Sequence, residues 1–564
     1  MDAQFQGITS DFIADFSRFS PINATSTGDH RYDDLVDEIS QESRDQERDF
    51  YREMEGLLSA LDRDRLSRAN QVDYQLLLHY LQRQQWQLNE LQEWAWNPLK
   101  YTSLAGGAIY NLMARDFGPL QERLLHATAR LNQFPRFLEQ VRETLDPKRV
   151  PKEHAETALK QNRGVLSVLK NLVEPHLAKL PQEEQRQLFD AIALATAAVN
   201  EHQKWLESDL FPNALGDFRL GKELYDQKLS WTLQTNFSRQ RIHDLASAEL
   251  KRVRAEMYDI SRTFLLSQDP TGNLPLSPSP QQQQATIQQC LELAYLEMPA
   301  RDQIVATAEA SMKITVDFIR EHNLVTVPSD PLEIILMPEF QRGVSFAYCD
   351  SPGPLDVGQK TFYAVAPLPE SWTDEQCESF LREYNLRSIH NLTIHEAMPG
   401  HFLQIAHANR YPSQLRAVLA SGVFIEGWAC YTEQMMSEEG FLDSDPLMRL
   451  ITLKWYLRSL VNSLIDQAIH VDGLQREAAM RMMTEDAFQE EREAAAKWIR
   501  AQLTSTQLST YFVGYQEHRA MRGAAEKHWK ADFQLKTYHD RAISFGAPPV
   551  RYAQALLLDQ PIPD

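Results

Sequence analysis

The stretch VDYQLLLHYLQRQQWQLNEL, residues 72–91, places Leu77, Leu78, Leu81 and Leu88 at 3, 4, 7 and 14 steps from Tyr74. At 3.6 residues per turn these positions form one stripe, so the segment reads as an amphipathic helix laid against a core. The same period recurs at about residues 120–145, 155–180 and 243–266, and the first 320 residues read as mainly helical. Residues 269–284 combine four prolines with a run of glutamines. Such a segment does not continue a helix and reads as an exposed loop.

Between residues 325 and 369 the character changes. PLEIILMP, GVSFAYC and KTFYAVAP are short β-branched or aromatic runs bounded by Pro, Gly and Asp. They predict a small β-sheet, one strand of which is an edge that can pair with an extended peptide. Helical periodicity resumes at Asp374 and breaks at 440–446 and near Gly473, and there is no internal repeat. The expected fold is mostly α and two-lobed around a deep cleft. A helical lobe spans 1–320, and a lobe spanning 321–564 carries the sheet and the site helices.

Composition narrows the function. The 564 residues exceed the size at which a single core stops growing, and 43% hydrophobic content with ten Trp supports a large buried interior. Lys and Arg number 57 against 78 Asp and Glu, a formal charge of −21 that disfavours nucleic acid and anionic membranes as partners. Cys290, Cys349, Cys377 and Cys430 form neither a C-x-x-C pair nor a dense pattern, so they read as reduced or buried. No run of eighteen apolar residues predicts a membrane span, and the first residues lack a basic region followed by an apolar one. These features favour a cytoplasmic location, with a periplasmic or secreted one following if a signal peptide has been removed. Oligomeric state is left open.

The chemistry concentrates in LTIHEAMPGHFLQ, residues 392–404, where Glu396 follows His395 and His401 lies six positions beyond it. In H-E-x-x-H the two histidines are four apart and share a helix face, gripping one Zn2+ while the Glu reaches its water. Six apart places the second ring about 240° around a regular helix. Pro399 lacks an N–H and crowds the preceding turn, so the helix is expected to be disturbed there. A bulge of about two residues at Pro399 and Gly400 would return His401 to the face of His395. A third ligand is expected from FIEGWACYTEQM, where Glu426 lies 25 positions after His401 among Phe424, Ile425, Trp428 and Ala429. An unpaired carboxylate there would cost several kcal/mol to desolvate, which a cation offsets. Glu433 is the rival ligand or an outer partner, and Cys430 a softer competitor. A chance pairing of core histidines would explain any one of these residues but not their combination.

HEAMPGHFLQ and EGWACYTEQM resemble the paired signatures of domain of unknown function 885, a bacterial group regarded as zinc peptidases. GDHRYDDL, WNPLKY, LGKELYDQKL and the stretch from Arg458 through DQAIHVDG resemble that family's segments in the same order. The resemblance implies a mostly helical fold similar to oligopeptidases of the neurolysin and angiotensin-converting-enzyme type. The family motif tends to carry two adjacent histidines after PG; here the second position is Phe402, so the ligand role falls to His401.

The expected activity is therefore a zinc-dependent metallopeptidase hydrolysing oligopeptides, with one Zn2+ on His395, His401 and Glu426 and with Glu396 as general base. Tyr511, Gly514 and Arg522 resemble the family's Y-x-x-G pattern with an Arg further on. That likeness favours Tyr511 as oxyanion donor and Arg522 as a clamp for a substrate carboxylate. Tyr515 and Arg519 lie on the same candidate helix. Asp466 and His470, four apart, could orient one another with His470 facing the cleft; a helix-end histidine near Gly473 is the plainer account. Alternatives are a zinc hydrolase of a non-peptide amide, an inactive helical peptide-binding protein and, remotely, a thiol hydrolase using Cys430.

Overall fold

A computed structural model describes residues 1–337, 346–369 and 372–564. The chain is mostly helical, with one three-stranded sheet inserted before the candidate site. The opening stretch forms the helix Arg68–Trp86. Its buried residues face two ways. Tyr74, Leu77 and Leu81 join Phe5, Phe12 and Phe50, while Val72 and Leu76 meet Tyr552, Ala555 and Ile562 near the end of the chain. One helix thus ties the first residues to the last.

The periodic segments near 120–145 and 243–266 are the helices Leu120–Thr144 and Arg239–Gln268. The segment 155–180 is broken into Lys152–Gln161, Gly164–Val168 and irregular turns through Lys179. Gly164 and Pro175 interrupt the pattern there. The loop expected over 269–284 is shorter than its composition suggests. Pro280 opens the helix Pro280–Tyr295, and Ser279 and Gln282 form a reciprocal cap with bonds of 3.2 and 2.9 Å. A proline at the first helical position gives up only an N–H that has no partner there, so it starts a helix as readily as it stops one.

Strands β1 (Leu332–Leu336), β2 (Ala347–Asp350) and β3 (Thr361–Val365) lie in the order β1-β3-β2. β1 runs parallel to β3 and β2 antiparallel to it, leaving β2 at an edge. Pro338 and residues 343–345 of the expected strand runs lie outside the described residues. Among these, no helix is long and apolar enough to cross a membrane.

Buried apolar residues gather in two large clusters. One runs from Ile22 to Ala214 and the other from Phe218 to Leu558, so the helices between 221 and 321 share a core with everything after them. Arg416, fully buried, bonds Asp73 at 2.7 Å and the carbonyls of Ala69 and Phe545 at 2.9 Å, joining three distant segments.

Two helices of the second core, Gly422–Glu438 and Thr510–Trp529, cross at backbone contact. A Cβ added to Gly427 would fall 2.3 Å from the carbonyl carbon of Gly514, and one added to Gly514 would fall 2.2 Å from the Val423 oxygen. This crossing brings Glu426 and Tyr511 to one side of the pair. Gly514→Ala is expected to push the helices apart and destabilise the protein by about 1–3 kcal/mol, the usual cost of overpacking. Thermal unfolding of the variant checks this; an unchanged midpoint would contradict the contact.

Candidate metal centre

The helix Leu386–Glu396 starts on Asn385, whose side chain accepts from the amides of Arg387 and Ser388, and stops at Glu396. A second helix, His401–Ala408, follows at once. Between them the hydrogen-bond ladder skips two residues. The Gly400 amide donates to the Ile394 carbonyl at 2.9 Å and the Leu403 amide to Ala397 at 3.2 Å, each reaching six residues back instead of four. The interruption has the size and place that the sequence requires, and the Met398–Pro399 peptide within it is cis. Gly400 is sterically required: a Cβ there would sit 2.0 Å from the His395 oxygen. The buried Trp428 indole donates to the Pro399 carbonyl at 2.9 Å, anchoring the interruption to the helix that carries Glu426.

With two residues looped out, His395 and His401 stand 4.6 Å apart, centroid to centroid, with their rings nearly perpendicular at 84°. Glu426 Oε2 lies 3.6 Å from His395 Nε2 and 3.5 Å from His401 Nε2. That oxygen is buried and accepts no hydrogen bond. One ligand atom from each of the three residues falls within 4.8 Å of the others. On its far side His395 Nδ1 donates to Glu433 Oε1 at 2.6 Å, and Asn391 donates to the other Glu433 oxygen at 2.6 Å. A carboxylate only accepts, so Nδ1 carries a proton toward Glu433 and Nε2 is the ring nitrogen turned toward Glu426. Glu433 thus stands behind the ring as its orienter. Cys430 also offers its sulfur within 4.8 Å of a His395 nitrogen and a Glu433 oxygen.

Charge and burial act in opposition here. Burial would lower the His395 pKa, but contacts with Cys430, Glu426 and Glu433 outweigh it and hold the pKa well above the usual value. Burial likewise would raise Glu426, and the two imidazoles instead keep it far below the ordinary carboxylate range. Glu396 is raised, chiefly by burial, with the two imidazoles opposing and Glu426 adding to the shift.

These residues line a cavity of about 710 Å3 together with β2, Trp372, Tyr384, Lys497, Arg500 and Tyr511. The Tyr511 hydroxyl accepts from Arg500 at 3.0 Å and Gln507 at 3.2 Å, which leaves its own proton to donate elsewhere. Its ring is 6.5 Å from that of His395.

His470 and Arg522 are not brought to this cavity. His470 is buried behind Phe218 and Tyr225 and donates through Nε2 to the carbonyls of Ala501 and Thr504. Asp466 instead accepts from Tyr225 at 2.7 Å, so the pair does not orient itself. Arg522 is held by Glu526 at 2.9 Å and by Glu438 at 3.6 Å; it sits about three turns, or ~16 Å, along the helix from Tyr511, on nearly the same face but beyond the cavity. Arg519 likewise pairs with Glu438. Sequence reasoning missed Asn391, one turn before His395 and legible from that spacing. It also missed Lys497 and Arg500, whose helix carries no motif.

The chain belongs to the family described as "Bacterial protein of unknown function (DUF885)", which matches residues 21–557. Among solved structures it is similar to "a putative lipoprotein of unknown function" from Shewanella oneidensis, with 31% identity, a TM-score of 0.82, and 98% of this chain and 99% of that one covered. It is also similar in fold to "the putative lipoprotein from Colwellia psychrerythraea", at 18% identity and a TM-score of 0.80, over 99% of this chain and 100% of that one. No curated protein matches it.

The histidines packed around the site behave unlike His395. Burial pushes His390, His518 and His539 down to about 4. Between pH 6.5 and 4 these three side chains therefore bind more protons in the unfolded chain than in the folded one, and their contribution to stability falls as pH drops through that window. Calorimetry across it should show a declining unfolding midpoint, less steep in His518→Gln; equal slopes would remove His518 as a contributor.

Proposed function

We propose that the protein is a zinc-dependent metallopeptidase acting on oligopeptides. The observation that supports this most is the buried Glu426 oxygen, which has no hydrogen-bond partner among the described residues and faces the Nε2 atoms of two imidazoles. Two nitrogens and one oxygen with an open side suit a single Zn2+ of the catalytic type, and His395, His401 and Glu426 would hold it. When bound, the ion supplies Lewis acidity that acidifies a water and polarises a carbonyl.

The protein's own groups account for the remainder. Glu396, adjoining His395 and made more basic by burial, takes the water's proton and can return it to the leaving amine. The Tyr511 hydroxyl, held by Arg500 and Gln507, has a proton to donate toward a developing oxyanion. Strand β2 lines the same cavity as a sheet edge, so an extended peptide can add to it by backbone pairing. Glu433 fixes the tautomer and angle of His395. A periplasmic or secreted location is also proposed, in place of the cytoplasmic one favoured by the sequence. The reason is the lipoprotein description of the 31% identical Shewanella chain.

Metal analysis combined with cleavage of a peptide library tests the reading. Glu396→Gln is expected to keep stoichiometric zinc while lowering turnover about 10²- to 10⁴-fold. Stoichiometric zinc without any Glu396-dependent cleavage would support an inactive peptide-binding protein instead. Glu433→Gln should weaken zinc affinity about 10- to 100-fold in a chelator competition; unchanged affinity would make Glu433 a packing residue only.

A further inference from the structure

The wall of the cavity contributed by the helix Glu491–Leu503 carries a chain of buried charges, most of them already paired. Glu383 accepts from Lys454 at 2.8 Å and from Arg458 at 3.1 Å, and Arg458 also donates to Glu493 at 2.6 Å. Of that helix's three cations, Arg492 is exposed and lies over the Trp372 ring, while the other two are wholly or partly buried and left over among the described residues. Lys497 is only 7% exposed, lines the cavity, and has no ion pair or hydrogen bond among the described residues. Among the described residues, the Arg500 side chain bonds only the neutral Tyr511 and Gln507 and has no carboxylate within ion-pair distance. Three residues apart, they share a face about one turn, or ~4.5 Å, along the helix.

A buried ammonium without an anion is costly, and the cavity is the side from which an anion can reach it. We propose that Lys497 and Arg500 form a subsite for a substrate carboxylate, supplied by the free C-terminus of a short peptide. This rests on the peptidase reading and takes over the clamp role that the sequence assigned to Arg522. Arg500 also bonds Tyr511, so a carboxylate seated there lies beside the metal-centre residues and sets the scissile bond near the peptide's C-terminal end. The groups facing Lys497 are Arg458, Glu493, Arg500 and Glu383, and burial brings its pKa down to about 7. The subsite is therefore charged below neutrality and loses charge above it, and a bound carboxylate would extend its charged range upward.

The test uses zinc-loaded Glu396→Gln protein and hexapeptide pools with free or amidated C-termini, their retention read by mass spectrometry. The free-acid pool should be retained about tenfold better, the scale of a charge-assisted contact. The ratio should collapse in Lys497→Met, recover in Lys497→Arg, and shrink as pH rises through 7. Amidated peptides that carry Asp or Glu at the last position and bind equally well would identify an acidic side chain as the source of the same carboxylate. Equal retention of both pools, or a ratio indifferent to Lys497→Met, overturns the subsite. Cleavage of the same pools by the unsubstituted protein is scored separately: its absence counts against the peptidase, while the retention ratio still decides the subsite.

Discussion

A carboxylate facing two imidazoles, with no donor to satisfy its buried oxygen, is the arrangement from which the rest of this structure can be understood. Glu426 is partly buried in a helix of apolar neighbours, and both ring nitrogens stand 3.5–3.6 Å from it. The placement of His401 is fixed largely through backbone. The two extra residues at 397–400 bring His401 round, the Pro399 carbonyl is tied to Trp428, and Gly400 makes room for the His395 carbonyl. Glu433 and Asn391 then lock the remaining freedom of His395. A polar cluster this deep is favourable only when its members are satisfied, and Asn391 Oδ1, His401 Nδ1 and Glu426 Oε2 are buried here without a partner among the described residues, the last of them turned toward both rings.

Much of this was legible in the sequence, because the relevant signals are local. Periodicity located the long helices, and the proline between two histidines six apart implied an interruption of the right length. Glu426 could be picked out because a carboxylate among Phe424, Trp428 and Ala429 needs a reason to be there. Composition misled at Pro280, where a helix breaker acts as a helix starter once Ser279 and Gln282 cap it.

The failures share a different cause. His470 and Arg522 carry suitable chemistry on suitable helices, but whether a side chain reaches the cavity depends on which stretch of its helix the cavity meets and on how that helix is rotated, both of which long-range packing decides. Arg522 is turned toward Glu438 and Glu526, and His470 toward carbonyls at the end of the neighbouring helix. Lys497 and Arg500 had the converse problem. Nothing within EREAAAKWIRAQL distinguishes a cavity wall from a solvated face until Glu383 and Glu493, from elsewhere and from the same helix, are seen to be already committed to Arg458.

The Gly427–Gly514 crossing has an implication for how such a pocket can diversify. Where two helices touch through main chain, their separation is set by peptide geometry and not by whichever side chains happen to lie between them. The contact works as a gauge block, holding Glu426 and Tyr511 at a constant span whichever side chains, such as Ile425 and Trp372, line the cavity around them. The spacing of the site and the lining of the cavity are in this way mechanically separable, and changes to the cavity have the most latitude at side chains that the gauge does not touch.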